Sequence, residues 1–406
     1  MGAVRELFLA IVLSVPALAS TQLEEIESKA TALKSQGDAA GALAAYEEAA
    51  TLDPQSARYQ DEIGFLLVIL NRRPEALDHF NRAIKLNASY APAHYHLGVL
   101  LWLQKDLANS IPELNTAATL QPDNAEYQSK AGQGLEGAGL HQDAIPPLRA
   151  AVSLQPNDRL AWINLGSALE FTGDFMGSVD AYKTAVDLDP SNVDVRNHYG
   201  LALVKARRGD DGIAQFEKVL AADPSNTLAR FNMGFAHLQK AELDPAIECF
   251  RAVIALDPNH APAHYNLGVA LKDKDDLENA KKEFARALEI DPTLAEAHYM
   301  IGITAWQSGD FEQAAKQYRE AIAVQPEYGE AYFMLGTVLK QKGDLKAAEA
   351  ALRSAIKLEP KNPGPYNTLA LILRQKGDVA GSKQMFAEGA RAKKAGEGKL
   401  GVMGQQ

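Results

Sequence analysis

The letters "APAHYHLGVLL" at residues 91–101 return as "APAHYNLGVAL" at 261–271, agreeing at nine of eleven positions. The offset, 261 − 91 = 170, is five times 34. A fixed period of that size restricts a chain to folds in which one small unit stacks on copies of itself. Set out in rows of 34 from Leu23, the sequence keeps its register through eleven rows, 23–396. Proline stands at 54 and then at every step from 122 to 360, with Ala88 filling the one gap. Glycine recurs from Gly64 to Gly336, with Ala30 and Ala370 at the ends. A small residue recurs from Ala42 to Ser382. Four positions later comes a large one, such as Tyr46, Phe80, Tyr182, Phe284 or Tyr318.

Within each row apolar letters fall at helical spacing, as in Leu165, Leu169, Val179, Tyr182 and Val186. Five rows place Gly-Asp at the midpoint: Gly37-Asp38, Gly173-Asp174, Gly309-Asp310, Gly343-Asp344 and Gly377-Asp378. Glycine there ends one helix in the left-handed conformation, and aspartate accepts the free amides that open the next. The proline closing each row stops the second helix. Two helices of ~11–13 residues are marginal alone, so each pair depends on its neighbours. The small columns let the helices approach, and the large column fills the space left between them.

These columns resemble the tetratricopeptide repeat family over about nine-tenths of the chain. The resemblance implies an all-α, right-handed superhelical solenoid whose inner groove, lined mostly by first helices, holds partner peptides. Eleven repeats are expected, at 23–56, 57–90, 91–124, 125–158, 159–192, 193–226, 227–260, 261–294, 295–328, 329–362 and 363–396, with 397–406 a flexible tail. Row 125–158 departs most. It carries Gly132, Gly134, Gly137 and Gly139, then Pro146-Pro147 inside its second helix, so it reads either as a soft joint or as a weak repeat.

Catalysis needs acid, base or nucleophile groups converging on one pocket, whereas the polar residues here are spread along an array. No enzyme, catalytic residue or cofactor is therefore expected. The single cysteine, Cys249, excludes a thiolate cage and sits in an apolar helical pattern as a small buried hydrophobe. His94 and His96 face different directions on one helix. His264 and His298 share a column with Trp162, Tyr332 and Tyr366, which reads as planar packing, and no metal site is expected. A net charge of −11 with no Lys/Arg stripe disfavours nucleic acid.

The first helices carry Asn164, His198, Asn232 and Asn266 in one column. An O-linked N-acetylglucosamine transferase has repeats of this family with asparagines in this column. The resemblance implies that their amides clamp an extended peptide backbone, each both donating and accepting. Columns expected on the inner face also hold Phe65, Tyr95, Val99 and Trp102, then Phe231, Phe235, Tyr265, Tyr299, Trp306 and Phe333. This second apolar stripe is surplus to the core columns, although rings packing between repeats would claim part of it. The family's clamp for acidic chaperone tails is missing, because its columns hold Tyr95, Tyr265, Val99 and Val269.

The expected function is thus a protein- or peptide-binding scaffold or adaptor, with a substrate-presenting arm of a separately encoded enzyme, such as a glycosyltransferase, as the alternative. At the N-terminus, Arg5, an apolar run from Leu7 to Val15, Pro16 and Ala17-Leu18-Ala19 form a signal-peptide pattern over 1–19. It predicts cleavage after Ala19 and a periplasmic or secreted protein, or, uncleaved, an anchor at residues 7–19. The sequence leaves the oligomeric state open.

Overall fold

The computed structural model describes residues 21–400, with side chains through 395. The signal pattern at 1–19 and the last six residues lie outside this range. Among the described residues there are twenty-two helices and no strand. They fall into two compact units, one ending at Ala206 and the other beginning at Arg207. That division lies inside repeat 193–226, not in row 125–158.

In the first unit, α1 spans 21–35 and α2 Ala39–Leu52, followed by α3 (Ala57–Ile69) and α4 (Arg73–Leu86). Next come α5 (Ala91–Leu103), α6 (Leu107–Leu120), α7 (Ala125–Gly137) and α8 (His141–Leu154). The unit ends with α9 (Arg159–Phe171), α10 (Phe175–Leu188) and α11 (Val193–Lys205). The second unit opens with α12 (Gly209–Ala222), α13 (Thr227–Gln239), α14 (Leu243–Leu256), α15 (Ala261–Asp273) and α16 (Leu277–Ile290). It continues through α17 (Ala295–Gln307), α18 (Phe311–Val324), α19 (Gly329–Gln341) and α20 (Leu345–Leu358). Last are α21 (Pro363–Gln375) and α22 (Val379–Leu400), the latter running four residues past the expected repeat end at 396.

Within each unit consecutive helices pack as pairs, as α3 with α4, α7 with α8, α15 with α16 and α19 with α20 do. The midpoint turn has the expected chemistry: Gly173 has φ +86° and the Asp174 carboxylate accepts from the Gly177 amide at 2.9 Å. Five rows without glycine make the same left-handed turn with Asn71, Lys105, Arg207, Ala241 and Asp275. The left-handed turn is therefore not specified by glycine alone.

The small column is sealed, with Ala42, Ala76, Ser110, Ala144, Ala246, Ala280, Ala314 and Ala348 all at 0% exposure. The large column fills the gap beside it, Phe250, Phe284 and Tyr318 also reaching 0%. The glycine column lies against these rings: a Cβ on Gly268 would stand 2.7 Å from the Phe284 ring, and one on Gly302 2.6 Å from that of Tyr318. In the final repeat, where α22 is followed by no further pair among the described residues, Phe386 is 39% exposed. The column needs the next pair to be buried, as nearest-neighbour stacking requires.

Row 125–158 forms two unbroken helices, with Pro146 and Pro147 inside α8. Its extra glycines have a packing role. A Cβ on Gly137 would lie 2.9 Å from the Trp102 ring, so this glycine makes room for that indole, while one on Gly134 would lie 3.3 Å from Leu114. Cys249 is 7% exposed, and burial pushes its thiol up to about 11.

Within each unit, successive first helices touch directly: α3 to α5 and α7 to α9 in the first, α13 to α15, α15 to α17 and α19 to α21 in the second. Among the described residues no two second helices share comparable contact. The first helices thus form the shorter, inner side of each stack.

Candidate partner-binding face

One first-helix column is spent on holding the stack together. His94 Nε2 lies 3.0 Å from the Ala88 carbonyl, and His264 Nε2 lies 3.2 Å from that of Pro258. Gln128, Trp162, Arg196, Arg230 and Tyr366 donate to the carbonyls of Pro122, Pro156, Pro190, Pro224 and Pro360. Every link reaches back six residues and ties a first helix to the turn before it. Some also reach forward to the second helix, His94 Nδ1 to Glu113 at 2.6 Å, His264 Nδ1 to Glu283 at 2.7 Å and His298 Nδ1 to Gln317 at 2.8 Å. At these seven positions the column forms a hydrogen-bonded latch to a carbonyl in the preceding turn, and of the residues expected as planar packing Trp162, His264 and Tyr366 belong to it.

The expected asparagine row is distributed over both units and engaged unevenly. In the first unit, Asn164 is half-buried, and its Nδ2 is buried without a hydrogen-bond partner. His198 is exposed and stacked on Tyr182, centroids 5.6 Å apart and planes at 18°. In the second unit, Asn232 is 7% exposed, and Asn266 turns its Nδ2 onto the Pro262 carbonyl of its own helix at 2.8 Å. Such a local bond competes with any clamp, since a short amide readily reaches its own backbone. That bond uses one of the two Nδ2 hydrogens of Asn266 and leaves the other hydrogen and the amide oxygen.

The aromatic stripe of the second unit is shared with packing. Phe231 lies 5.7 Å from Phe250 and 5.3 Å from His260. Tyr265 lies 5.7 Å from Phe284, and Tyr299 lies 5.7 Å from Tyr318 and 5.1 Å from Tyr328. The Phe333 ring is the nearest neighbour of Gly364. The Trp306 Nε1 donates to Gln341 at 3.0 Å. All of these, with Phe235, are half-buried, so each ring has one side in the stack.

A hollow of about 370 Å³ lies in the first unit among α3, α4, α5 and α7, open to one side and lined by Phe65, Phe80, Tyr95, His96, Val99 and Tyr127, with Glu126 also among its lining residues. Tyr95 and Tyr127 stack at 4.6 Å and 25°. The Tyr95 hydroxyl donates to Glu126 Oε1 at 2.5 Å, and burial followed by that carboxylate holds the phenol in its neutral form far above the usual range. His96 Nδ1 meets Asp61 Oδ1 at 2.8 Å. Asp61 is 2% exposed, and its burial pushes the carboxyl up against the opposing pull of His96. Sequence reasoning marked Phe65, Tyr95 and Val99 as inner bulk but missed Asp61, Glu126 and Tyr127. The signal was weak, because the column of Asp61 mixes rings such as Tyr95 and Phe231 with Ser129, Ile163, Asn197 and Asn367.

The described residues contain no group of three or more His, Cys, Asp or Glu able to hold a metal ion. They contain no helix long and apolar enough to cross a membrane. The arrangement offers apolar area, ring faces and a few carboxylates, the equipment of a binding surface.

Tetratricopeptide repeat profiles match residues 27–56, 91–124, 129–193, 170–227, 199–248, 259–327 and 299–363, and a TPR repeat profile matches 64–105 and 239–275. No curated protein matches the sequence. Among solved structures, a tetratricopeptide repeat protein from Parabacteroides merdae superposes with a TM-score of 0.52 at 15% identity, over 62% of this chain and 100% of that one. Yeast Tom70 is similar at a TM-score of 0.49 and 16% identity, over 95% and 94% of the two chains. YrrB, described as a TPR protein with an unusual peptide-binding site, gives 0.38 and 23%, over 45% and 95%. With the helix pairs, the sealed small column and the profile matches along both units, the chain belongs to the tetratricopeptide repeat family.

Proposed function

We propose that this protein is a non-enzymatic scaffold that captures a protein or peptide segment on the inner, first-helix face. The observation that carries this is the hollow in the first unit: an aromatic and aliphatic cup whose floor includes the core ring Phe80 and whose walls add Phe65, Val68 and Val99, which are only half-buried. Apolar area of that kind, left open beside polar groups that can orient a ligand, is characteristic of a recognition surface. Capture on the first-helix side of the second unit would use the outward faces of Tyr265, Tyr299, Trp306 and Phe333. The alternative of a substrate-presenting arm depends on the asparagine column, where the unpartnered amide of Asn164 is its main support.

Replacing Val99 by Arg should fill the cup and leave far-ultraviolet circular dichroism unchanged, while capture of the native partner falls at least tenfold. The same substitution at the exposed Glu47 of α2, on a second helix, should leave capture intact. Equal effects, or none, from the two variants would remove the inner face from the account. The signal pattern at 1–19 adds the proposal that the scaffold works in an exported or cell-envelope assembly. N-terminal sequencing of the protein from its native cells tests it, the expected mature end being Ser20 and an intact Met1 the contrary result.

A further inference from the structure

We propose that the cup among α3, α4, α5 and α7 takes a cationic side chain, lysine or arginine, from the segment bound on this face; the inference rests on the groove reading above. The chain itself holds one ammonium by this chemistry next door. Lys34 Nζ sits 4.5 Å above the centroid of the Phe65 ring and 2.6 Å from the Glu62 carboxylate. A ring face for the cation's field and a carboxylate for its charge are the two parts of that seat. The cup repeats both parts and has no cation of its own. Its rings are the half-buried Phe65 and the pair Tyr95 and Tyr127, which are buried and stacked on each other, its carboxylate is Glu126, and neither Lys nor Arg lines it. The Asp61 carboxylate is matched by His96, which leaves Glu126 as the carboxylate among the lining residues.

Glu126 is exposed, yet it is fixed in place by the Tyr95 hydroxyl, which leaves Oε2 for a ligand. The pairing recurs at the same sequence distance in the second unit. From Tyr95 to Glu126 is 31 residues, and the same step leads from Tyr265 to Glu296 and from Tyr299 to Glu330. In both later cases the carboxylate acts on the tyrosine hydroxyl through space, after burial itself. A tyrosine with an acid beside it is thus a repeated feature of the inner face. It suits an extended, basic segment.

The test uses the full chain and three small probes: the Nα-acetyl N-methylamides of lysine, norleucine and glutamate. Saturation-transfer NMR reads their dissociation constants for the wild type, Glu126→Gln and Val99→Arg. Gln keeps an acceptor for the Tyr95 hydroxyl and removes the charge. The lysine probe should bind at least tenfold more tightly than norleucine and the glutamate probe more weakly than either. Glu126→Gln should weaken lysine about tenfold and leave norleucine unchanged. Norleucine binding as well as lysine, with both blocked by Val99→Arg, would overturn cation selection and leave the groove reading standing. Binding of any probe that Val99→Arg does not reduce, or no binding at all, would overturn the cup as a ligand site.

Discussion

Substitution of Gly268 by alanine, alone and together with Phe284→Ala, probes the packing rule on which the stack depends. A Cβ on Gly268 would lie 2.7 Å from two carbons of the fully buried Phe284 ring, well inside ordinary contact. Such overpacking costs roughly 1–3 kcal/mol. Alanine also gains about 1 kcal/mol of helix propensity over glycine. The single variant should therefore be destabilised by about 0–2 kcal/mol, the difference of the two. Phe284→Ala should cost about 3–5 kcal/mol by leaving a cavity. In that background the clash is gone, and Gly268→Ala should now stabilise by about 1 kcal/mol. The coupling between the two sites is then about 1–3 kcal/mol. Long repeat arrays do not unfold in one step, so the assay is native-state hydrogen exchange, read by mass spectrometry on peptides from α15 and α16. Protection in α3 and α4 serves as the internal control, because repeats far apart share no contacts. A Gly268→Ala effect of the same sign and size in both backgrounds would refute the reasoning.

Tyr366→Phe removes only the hydroxyl that donates to the Pro360 carbonyl at 3.1 Å, and should lower local stability of α21 by about 0.5–1.5 kcal/mol, measured by the same exchange experiment. Ala241 turns at φ +58°, where a Cβ is strained, so Ala241→Gly should stabilise the α13–α14 pair by roughly 0.5–1 kcal/mol and slow its exchange. Glu349 accepts from Lys376 and Arg353 at 2.8 Å each, and these two cations hold its carboxyl below the usual range. A depressed carboxylate contributes stability above its unfolded pKa and loses it as pH falls through the folded one. The cost of Glu349→Gln, about 1 kcal/mol, should thus be full above about pH 5 and disappear in acid, as followed by thermal unfolding of the C-terminal repeats.

The stack was legible in the sequence because packing writes itself as a period. Small residues at Ala280 or Ala314, and large ones at Phe284 or Tyr318, can serve only if every pair meets the same neighbour. The latch was harder to see. His94, Gln128, Trp162, Arg230 and Tyr366 differ in size, charge and ring character, and share only a side-chain N–H or O–H. Similarity in shape suggested packing, whereas the common donor was the operative property. In row 125–158 the ring that Gly137 admits, Trp102, belongs to the preceding repeat, so local helix propensity does not show why glycine stands there. The site was legible only as a face. Sequence columns placed Tyr95 and Val99 inside, but the cup is completed by Glu126 and Tyr127 from the next repeat. Asn266, sound as a residue type for clamping, is engaged by its own helix, a choice of rotamer that spacing does not encode.

The most direct test of an inner capture surface is site-specific photo-crosslinking of the native partner. A photoreactive phenylalanine would replace Leu103 or Val269 on first helices, or the exposed Lys85 or Arg319 on second helices. Adducts of one and the same partner from the first pair, with none from the second, are the predicted result. Adducts forming chiefly from Lys85 and Arg319 would contradict it.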